Sequence, residues 1–206
     1  MPKLLLATTN RGKAAEYHIL LKGLDFEMVT PDKVGIQQEA EENYLTFAEN
    51  ARDKAVFYAD LSGLLTLADD SGLEVEALGG EPGVRSSRYA GNNATDEDRV
   101  NFLLSKLKDV PYEKRQAKFT CVIAIAEPGG RVYLAEGECQ GMIALEPRGD
   151  NGFGYDPIFY LPQYGKTLAE LSPELKNQIS HRGQAARNAY PILQKLNHLC
   201  SQYGGC

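Results

Sequence analysis

Two short apolar runs constrain this chain most, Leu4-Leu5-Leu6-Ala7 near the amino terminus and Leu64 to Ala68 further along. Runs of this length without strict polar alternation read as buried strands, and a sheet of buried strands needs helices to cover it. The neighbouring residues supply them. After Leu4–Ala7 comes the polar turn Thr8-Thr9-Asn10 and then helical spacing from Gly12 to Leu21, while a long helix from about Leu45 to Leu61, closed by Ser62-Gly63, precedes the second run. Thr95 can cap a further helix that reaches about Leu107. Phe119 to Ala126 and Arg131 to Cys139 predict a hairpin around Pro128-Gly129-Gly130. A short strand at Ile158-Phe159, short helices over Thr167–Leu171 and Pro173–Ile179, and a closing helix from His181 to about Leu196 complete the pattern. Early strand–helix alternation with a hairpin in the middle predicts an α/β chain, a mixed sheet with flanking helices. We expect one domain with two lobes over residues 1–198 and a frayed tail over 199–206.

Charge narrows the function classes. Lys and Arg number 22 against 28 Asp and Glu, a formal charge of −6, which disfavours broad nucleic-acid binding because that requires a dense cationic surface. Small phosphorylated ligands remain open, since they need only a few placed cations, and carboxylates can join through a divalent metal. The four cysteines, Cys121, Cys139, Cys200 and Cys206, form no CxxC pair, so neither a zinc site nor a thioredoxin-like motif is expected. We expect a reduced, cytoplasmic setting. The first apolar run is too short for a signal-peptide core, and no stretch approaches membrane-spanning length.

Four segments carry candidate chemistry. Thr8-Thr9-Asn10-Arg11-Gly12-Lys13 places a strand-to-helix turn where backbone N–H groups and a lysine can hold a phosphate; the same residues also read as an Asn-capped helix with a surface lysine. It is not a Walker A loop, and Gly165-Lys166-Thr167 is not the end of one, because Tyr160 stands where that pattern needs glycine. Asp69-Asp70, expected at the carboxyl end of the second strand, and the upstream Glu41 and Glu42 offer hard oxygen ligands for magnesium or a base for water. Alternatively the aspartates cap a turn and the glutamates solvate a helix start. Gly149 to Asp156 concentrates glycine beside Phe153 and Tyr155, as a loop that lets backbone approach a flat ligand, or as an ordinary turn over core aromatics. Lys176, Ser180, His181 and Arg182 cluster near a helix start and offer donors to an anion or a carbonyl, whereas His18 and His198 read as surface or packing residues.

Taken in order, Thr8-x-Asn10-x-x-Lys13, Thr46-Phe47-x-Glu49-Asn50-Ala51-x-x-Lys54-Ala55, Ala68-Asp69-Asp70-Ser71-Gly72-Leu73, Pro82-Gly83-Val84-x-Ser86, Gly152-Phe153-Gly154-Tyr155-Asp156-Pro157 and Ser180-His181-Arg182-Gly183 resemble the inosine/xanthosine triphosphate pyrophosphatase family. The likeness runs from about Ala7 to Arg187. Leu175 departs from it, standing where a polar or acidic residue often precedes the lysine that matches Lys176.

The resemblance implies an elongated α/β fold with a central mixed sheet, two lobes enclosing a cleft, and a homodimer. It implies magnesium-dependent conversion of deaminated purine nucleoside triphosphates (XTP, ITP and dITP) to the monophosphate plus pyrophosphate, which cleanses the nucleotide pool. Carried over by position, Thr8, Thr9, Asn10, Arg11, Gly12, Lys13 and Lys54 resemble the triphosphate grip. Asp70 resembles the residue that activates water and holds Mg2+, with Glu41 as its acidic helper and Glu42 beside it. Ser71 resembles a substrate contact, Phe153, Gly154, Tyr155 and Asp156 the wall around the nucleoside, and Lys176, His181 and Arg182 the groups that meet base and phosphates. A binding sensor with little turnover, or a pyrophosphatase for other modified nucleotides, are the competing readings.

Overall fold

The first apolar run becomes strand β1 (Lys3–Leu6), and the turn after it leads into helix α1 (Arg11–Leu20). β2 (Glu27–Val29), α2 (Phe47–Ser62) and β3 (Leu65–Val75) follow, then α3 (Asp96–Lys106), β4 (Gln116–Ala126) and β5 (Val132–Ile143). The chain ends with β6 (Phe159–Leu161), β7 (Lys166–Thr167), α4 (Pro173–Ile179) and α5 (His181–Tyr203). This computed structural model describes residues 1–203, with side chains through residue 198. Residues 204–206 of the expected tail lie outside the described residues, and α5 continues past Leu196.

The strands form one mixed sheet in the order β2-β1-β3-β4-β5-β6-β7. β1 pairs in parallel with β2 and β3, and β6 pairs antiparallel with β5 and β7. The expected α/β class with a mixed sheet and flanking helices is what the chain adopts. Two compact units divide it, one built from residues 1–70, 121–137 and 182 onward, the other from 71–120 and 138–181.

In the first unit the period-two alternation of strands sorts side chains onto two covered faces. Leu4, Leu6, Leu65, Leu67, Cys121, Ile123 and Ile125 pack with Tyr17 and Leu21 and with Ala185, Ala189 and Leu193 of α5. Leu5, Ala7, Ala68, Val122, Ala124 and Ala126 pack with Ala51, Ala55, Tyr58 and Ala59 of α2. Alanines four residues apart give α2 a low face, so the helix can lie close to the sheet. Thr46 caps α2 by accepting the Glu49 N–H at 3.2 Å, and Gly63 ends it at φ +67, a conformation that favours glycine. In the second unit Leu73, Val75, Val100, Leu103, Phe119, Ile143, Phe159 and Leu161 share one core. Truncating a fully buried leucine such as Leu67 or Leu103 to alanine costs about 2–5 kcal/mol in such settings.

Four local expectations need correction. The second strand does not end at Asp69-Asp70: its pairing with β1 stops at Leu6 opposite Leu67, yet β3 runs on to Val75. It continues because Leu73 and Val75 renew the buried alternation in the second core. β2 was not anticipated. The hairpin strands are longer than expected, Gln116–Ala126 and Val132–Ile143. The helix expected at Thr167–Leu171 is the edge strand β7 followed by one 3-10 turn, with Thr167 and Glu170 forming a capping box. The capping role expected of Thr95 is met by a reciprocal box with Asp98. Among the described residues no helix is long and apolar enough to cross a membrane.

Candidate functional site

The first unit gathers its chemistry where β1 ends. Asn10 caps α1 by accepting the Lys13 N–H at 3.0 Å, and Thr8 Oγ1 accepts the Asn10 N–H at 3.1 Å. The cap turns the positive end of the helix, with the first-turn N–H groups of Arg11 and Gly12, toward the segment from Thr8 to Lys13. Thr9, Asn10 and Arg11 are exposed there, and Lys13 is half-buried.

Strand alternation sends the two neighbouring aspartates to opposite faces. Asp69 follows Leu65 and Leu67 onto the face covered by α1 and α5. Its Oδ2 accepts from Lys13 Nζ at 3.0 Å, Arg182 Nη2 at 3.5 Å and the Cys121 thiol at 3.8 Å. Burial works against its charge, but Lys13, then Arg182 and Lys54, outweigh that and hold the carboxyl well below its ordinary range. Arg182 also donates through Nη1 to Glu16 at 2.7 Å. Burial pushes the Cys121 thiol up to about 12, so it stays a thiol at neutral pH.

Asp70 follows Ala68 onto the α2 face. Its Oδ2 accepts from Asn50 Nδ2 at 2.9 Å. Asn50 is fully buried, and its amide is oriented by accepting the Tyr44 N–H at 2.9 Å and donating to the Tyr44 carbonyl at 3.2 Å. Lys54 donates to the Asp69 carbonyl oxygen at 3.2 Å and forms an ion pair with Glu42. Burial first, then the charge of Glu42, push the Asp70 carboxyl up to about 6. The glutamate that acts on Asp70 is therefore Glu42. Glu41 is exposed, and its carboxylate accepts from Asn43 Nδ2 at 2.6 Å. Ser71 is half-buried directly after Asp70.

The second unit has its own polar cluster. Asp156 and Lys176 form a buried ion pair at 2.6 Å, Asp156 Oδ2 also accepts the Phe153 N–H at 2.9 Å, and Lys176 Nζ lies 4.8 Å from the Phe153 ring centroid. Gly152 permits this closure, because a Cβ there would stand 2.1 Å from Asp156 Oδ2. The Gly154 N–H donates to Asp96 at 2.7 Å, and the buried Tyr155 hydroxyl donates to the Ser86 carbonyl at 2.9 Å. The His181 ring stacks on Phe119 at 4.5 Å between centroids and 10° between planes.

Of the residues singled out in the sequence, Lys13 and Arg182 thus meet at Asp69 in the first unit, Lys54 meets the Asp69 carbonyl and Glu42, and Asp70 is held by Asn50 on the other face. Phe153, Asp156 and Lys176 join one network in the second, with Gly154 and Tyr155 anchored in the same loop and His181 on Phe119. His18 is exposed and bonded to the Ala14 carbonyl at 2.7 Å, and His198 is exposed. Sequence reasoning gave no separate role to Asp69, Asn50 or Glu16. Alternation along β3 and the helical phase of Ala51, Ala55 and Ala59 are the signals that could have found the first two.

The Ham1 family model matches residues 4–192. A protein of Desulforamulus reducens named dITP/XTP pyrophosphatase is 52% identical over 194 residues, 94% of this chain and 96% of its own length. A second of that name, from Geobacter sulfurreducens, is 50% identical over 185 residues, 90% of this chain and 93% of its own. Among solved structures, a HAM1 protein from Coxiella burnetii superposes with a TM-score of 0.87 at 45% identity, covering 95% of this chain and all of that one.

Proposed function

The chain belongs to the Ham1 family, and from that premise we propose that it hydrolyses deaminated purine nucleoside triphosphates, XTP, ITP and dITP, to the monophosphate and pyrophosphate. The observation that carries the reading is Asp70, a buried carboxylate with its pKa pushed to about 6, held by Asn50 and within the field of Glu42 and Lys54. A base with that pKa is poised to take a proton from water near neutral pH. The relatives named dITP/XTP pyrophosphatase support the substrate class.

In this reading Asp70 takes the proton of the water that attacks the α-phosphorus, and no covalent enzyme intermediate forms. Lys13 and Lys54 offset the charge that develops on the departing pyrophosphate, helped by the amino end of α1. Thr8, Thr9, Asn10, Arg11 and Gly12 hold phosphate oxygens, and Ser71 contacts the substrate. Lys176, steadied by Asp156, and His181 are the second unit's donors for the base, and Arg182 of the first unit is assigned to the phosphates. Hypoxanthine and xanthine offer a carbonyl where adenine has an amino group, and a site built on donors rejects such a mismatch by about 10⁴-fold. Phe153, Gly154 and Tyr155 belong to the nucleoside wall.

The acidic residues suit Mg2+. Asp70 and Glu42 are close enough for the charge of one to raise the pKa of the other, a repulsion that a cation relieves. Among the described residues no group of three or more Asp, Glu, His or Cys is arranged to hold a metal; magnesium can take as few as one or two protein oxygens and complete its shell with phosphate and water. Asp70 with Glu42 or Glu41 would hold it, and it would supply charge neutralisation over the phosphates. We extend the proposal to a homodimer in the cytoplasm, where the free thiols of Cys121 and Cys139 stay reduced.

The test is to incubate purified protein and magnesium with XTP, dITP, GTP, ATP and dUTP in turn, and to measure pyrophosphate and orthophosphate separately. Pyrophosphate from XTP or dITP far above GTP and ATP is expected. Orthophosphate as first product would overturn the bond cleaved, tight binding without turnover would favour a sensor, and a preference for dUTP would move the substrate class.

A further inference from the structure

We propose that Asp69 is a positioning residue for the triphosphate grip, its Oδ2 fixing the Lys13 ammonium and the Arg182 guanidinium in one array. The inference rests on the phosphate-binding role proposed above for Lys13. The proposed hydrolysis makes no use of Asp69, yet its side chain is 1% exposed and one oxygen gathers three donors. Such concentration around a carboxylate that does no chemistry calls for another role.

The contacts form a line of alternating charge. Lys13 meets Asp69, Asp69 meets Arg182, and Arg182 meets Glu16. Glu16 stands one turn after Lys13 on α1, so both project from one face of that helix. The line therefore ties the first turn of α1 to β3 and to the start of α5. Without the Asp69 charge, Lys13 and Arg182, from separate helices, would lose the anion that both of them meet. Lysine is a flexible stem that ends in a point charge, so its site of action depends on what holds the tip. Lys13 is 17% exposed against 1% for Asp69, which puts the carboxylate behind and the ammonium in front. One of its three N–H bonds is committed to Asp69, which leaves the others for phosphate oxygens. Behind Asp69, Cys121 and the Tyr17 hydroxyl 3.9 Å from its sulfur back the carboxylate against the core.

The experiment is a double-mutant cycle between Asp69→Asn and Lys13→Met, read in kcat/KM for dITP and in the affinity for inorganic pyrophosphate with magnesium by calorimetry. Misplacement of a charge-stabilising group by an ångström costs about 100-fold, so Asp69→Asn is expected to lower kcat/KM by about that factor. It is expected to weaken pyrophosphate binding about ten-fold, and to cost under about three-fold in either readout once Lys13 is already methionine. A merely structural role would give equal losses in both backgrounds, and that result would overturn the proposal, as would a wild type that binds no pyrophosphate. If Asp69→Asn does not fold, Asp69→Glu keeps the charge, moves the oxygen by one methylene, and is expected to show the same coupling. Coupling in pyrophosphate binding without dITP turnover would sink the hydrolase reading and sustain this one. Turnover without coupling would do the reverse.

Discussion

Asp69 and Asp70 are chain neighbours on one strand, and they live in opposite electrostatic worlds. On the α1–α5 face Asp69 meets Lys13 and Arg182, and its carboxyl is held ionised far into acid. On the α2 face Asp70 meets Asn50 and the field of Glu42, and its carboxyl is pushed to about 6. Both are buried, so desolvation does not separate them; the neighbouring charges do. The strand repeat thus sorts two identical side chains into a structural anion and a titratable group. Asp156 of the second unit likewise meets a lysine, Lys176, at 2.6 Å.

Asparagine at each position in turn should break the comparison most sharply. Asp70→Asn is expected to lower kcat by about 10³-fold, within the range that general-base removal costs. The same change should stabilise the metal-free fold at neutral pH. A folded pKa raised from the ordinary 3.8 to about 6 means that the native state binds more protons than the unfolded one between those values, so stability falls as pH rises through them. That penalty amounts to as much as about 3 kcal/mol above pH 6, and asparagine escapes it. Denaturant melts in chelator should show the variant more stable near neutrality, with the gap closing toward about pH 4. Adding magnesium should stabilise the wild type and not the variant. Equal stability at all pH values would remove the strain assigned to Asp70.

Asp69→Asn should do the opposite. The folded pKa of Asp69 lies below its ordinary value, so its charge stabilises the fold above about pH 4 and that stability drains as pH falls through the folded pKa. Removing it leaves the buried Arg182 one carboxylate short, at a cost of about 3 kcal/mol at neutral pH. Melts across the acid range should show a flatter decline below about pH 4 than the wild type. A variant as stable as the wild type at neutral pH would mean that Glu16 alone satisfies Arg182.

Much of this was legible before the structure. The strand–helix alternation, the caps at Asn10 and Thr95, and the loop from Gly149 to Asp156 are local patterns that a sequence displays. β2 is three residues long, too short to show a period. The true end of β3 was hidden because its apolar run stops at Ala68 while its alternation resumes at Leu73 in a different core. Glu41 and Glu42 differ by one position before α2, and only the backbone path decides which turns toward Asp70. Asn50 lies in the Thr46–Ala55 segment of the family resemblance, but its role depends on α2 presenting it to the strand, which is a tertiary fact.

Asn50 also offers the finest adjustment of the comparison. Its amide donates to Asp70 Oδ2 at 2.9 Å and favours the ionised form, acting against burial and Glu42. Asn50→Ala removes that donor and leaves the other influences in place, so the Asp70 pKa should rise further. If Asp70 is the base, the acid limb of the pH profile of kcat/KM at fixed magnesium should move to higher pH by under about one unit, because that limb reports ionisation in the free enzyme. The side chain also bonds the Tyr44 backbone in both directions, so some stability is lost as well, about 1–2 kcal/mol. The two effects separate cleanly, since a loss of folding lowers activity at every pH and shifts no limb. A limb that stays put while stability falls would leave Asn50 as a brace for the chain before α2, and the distinction between Asp69 and Asp70 would then rest on burial and Glu42 alone.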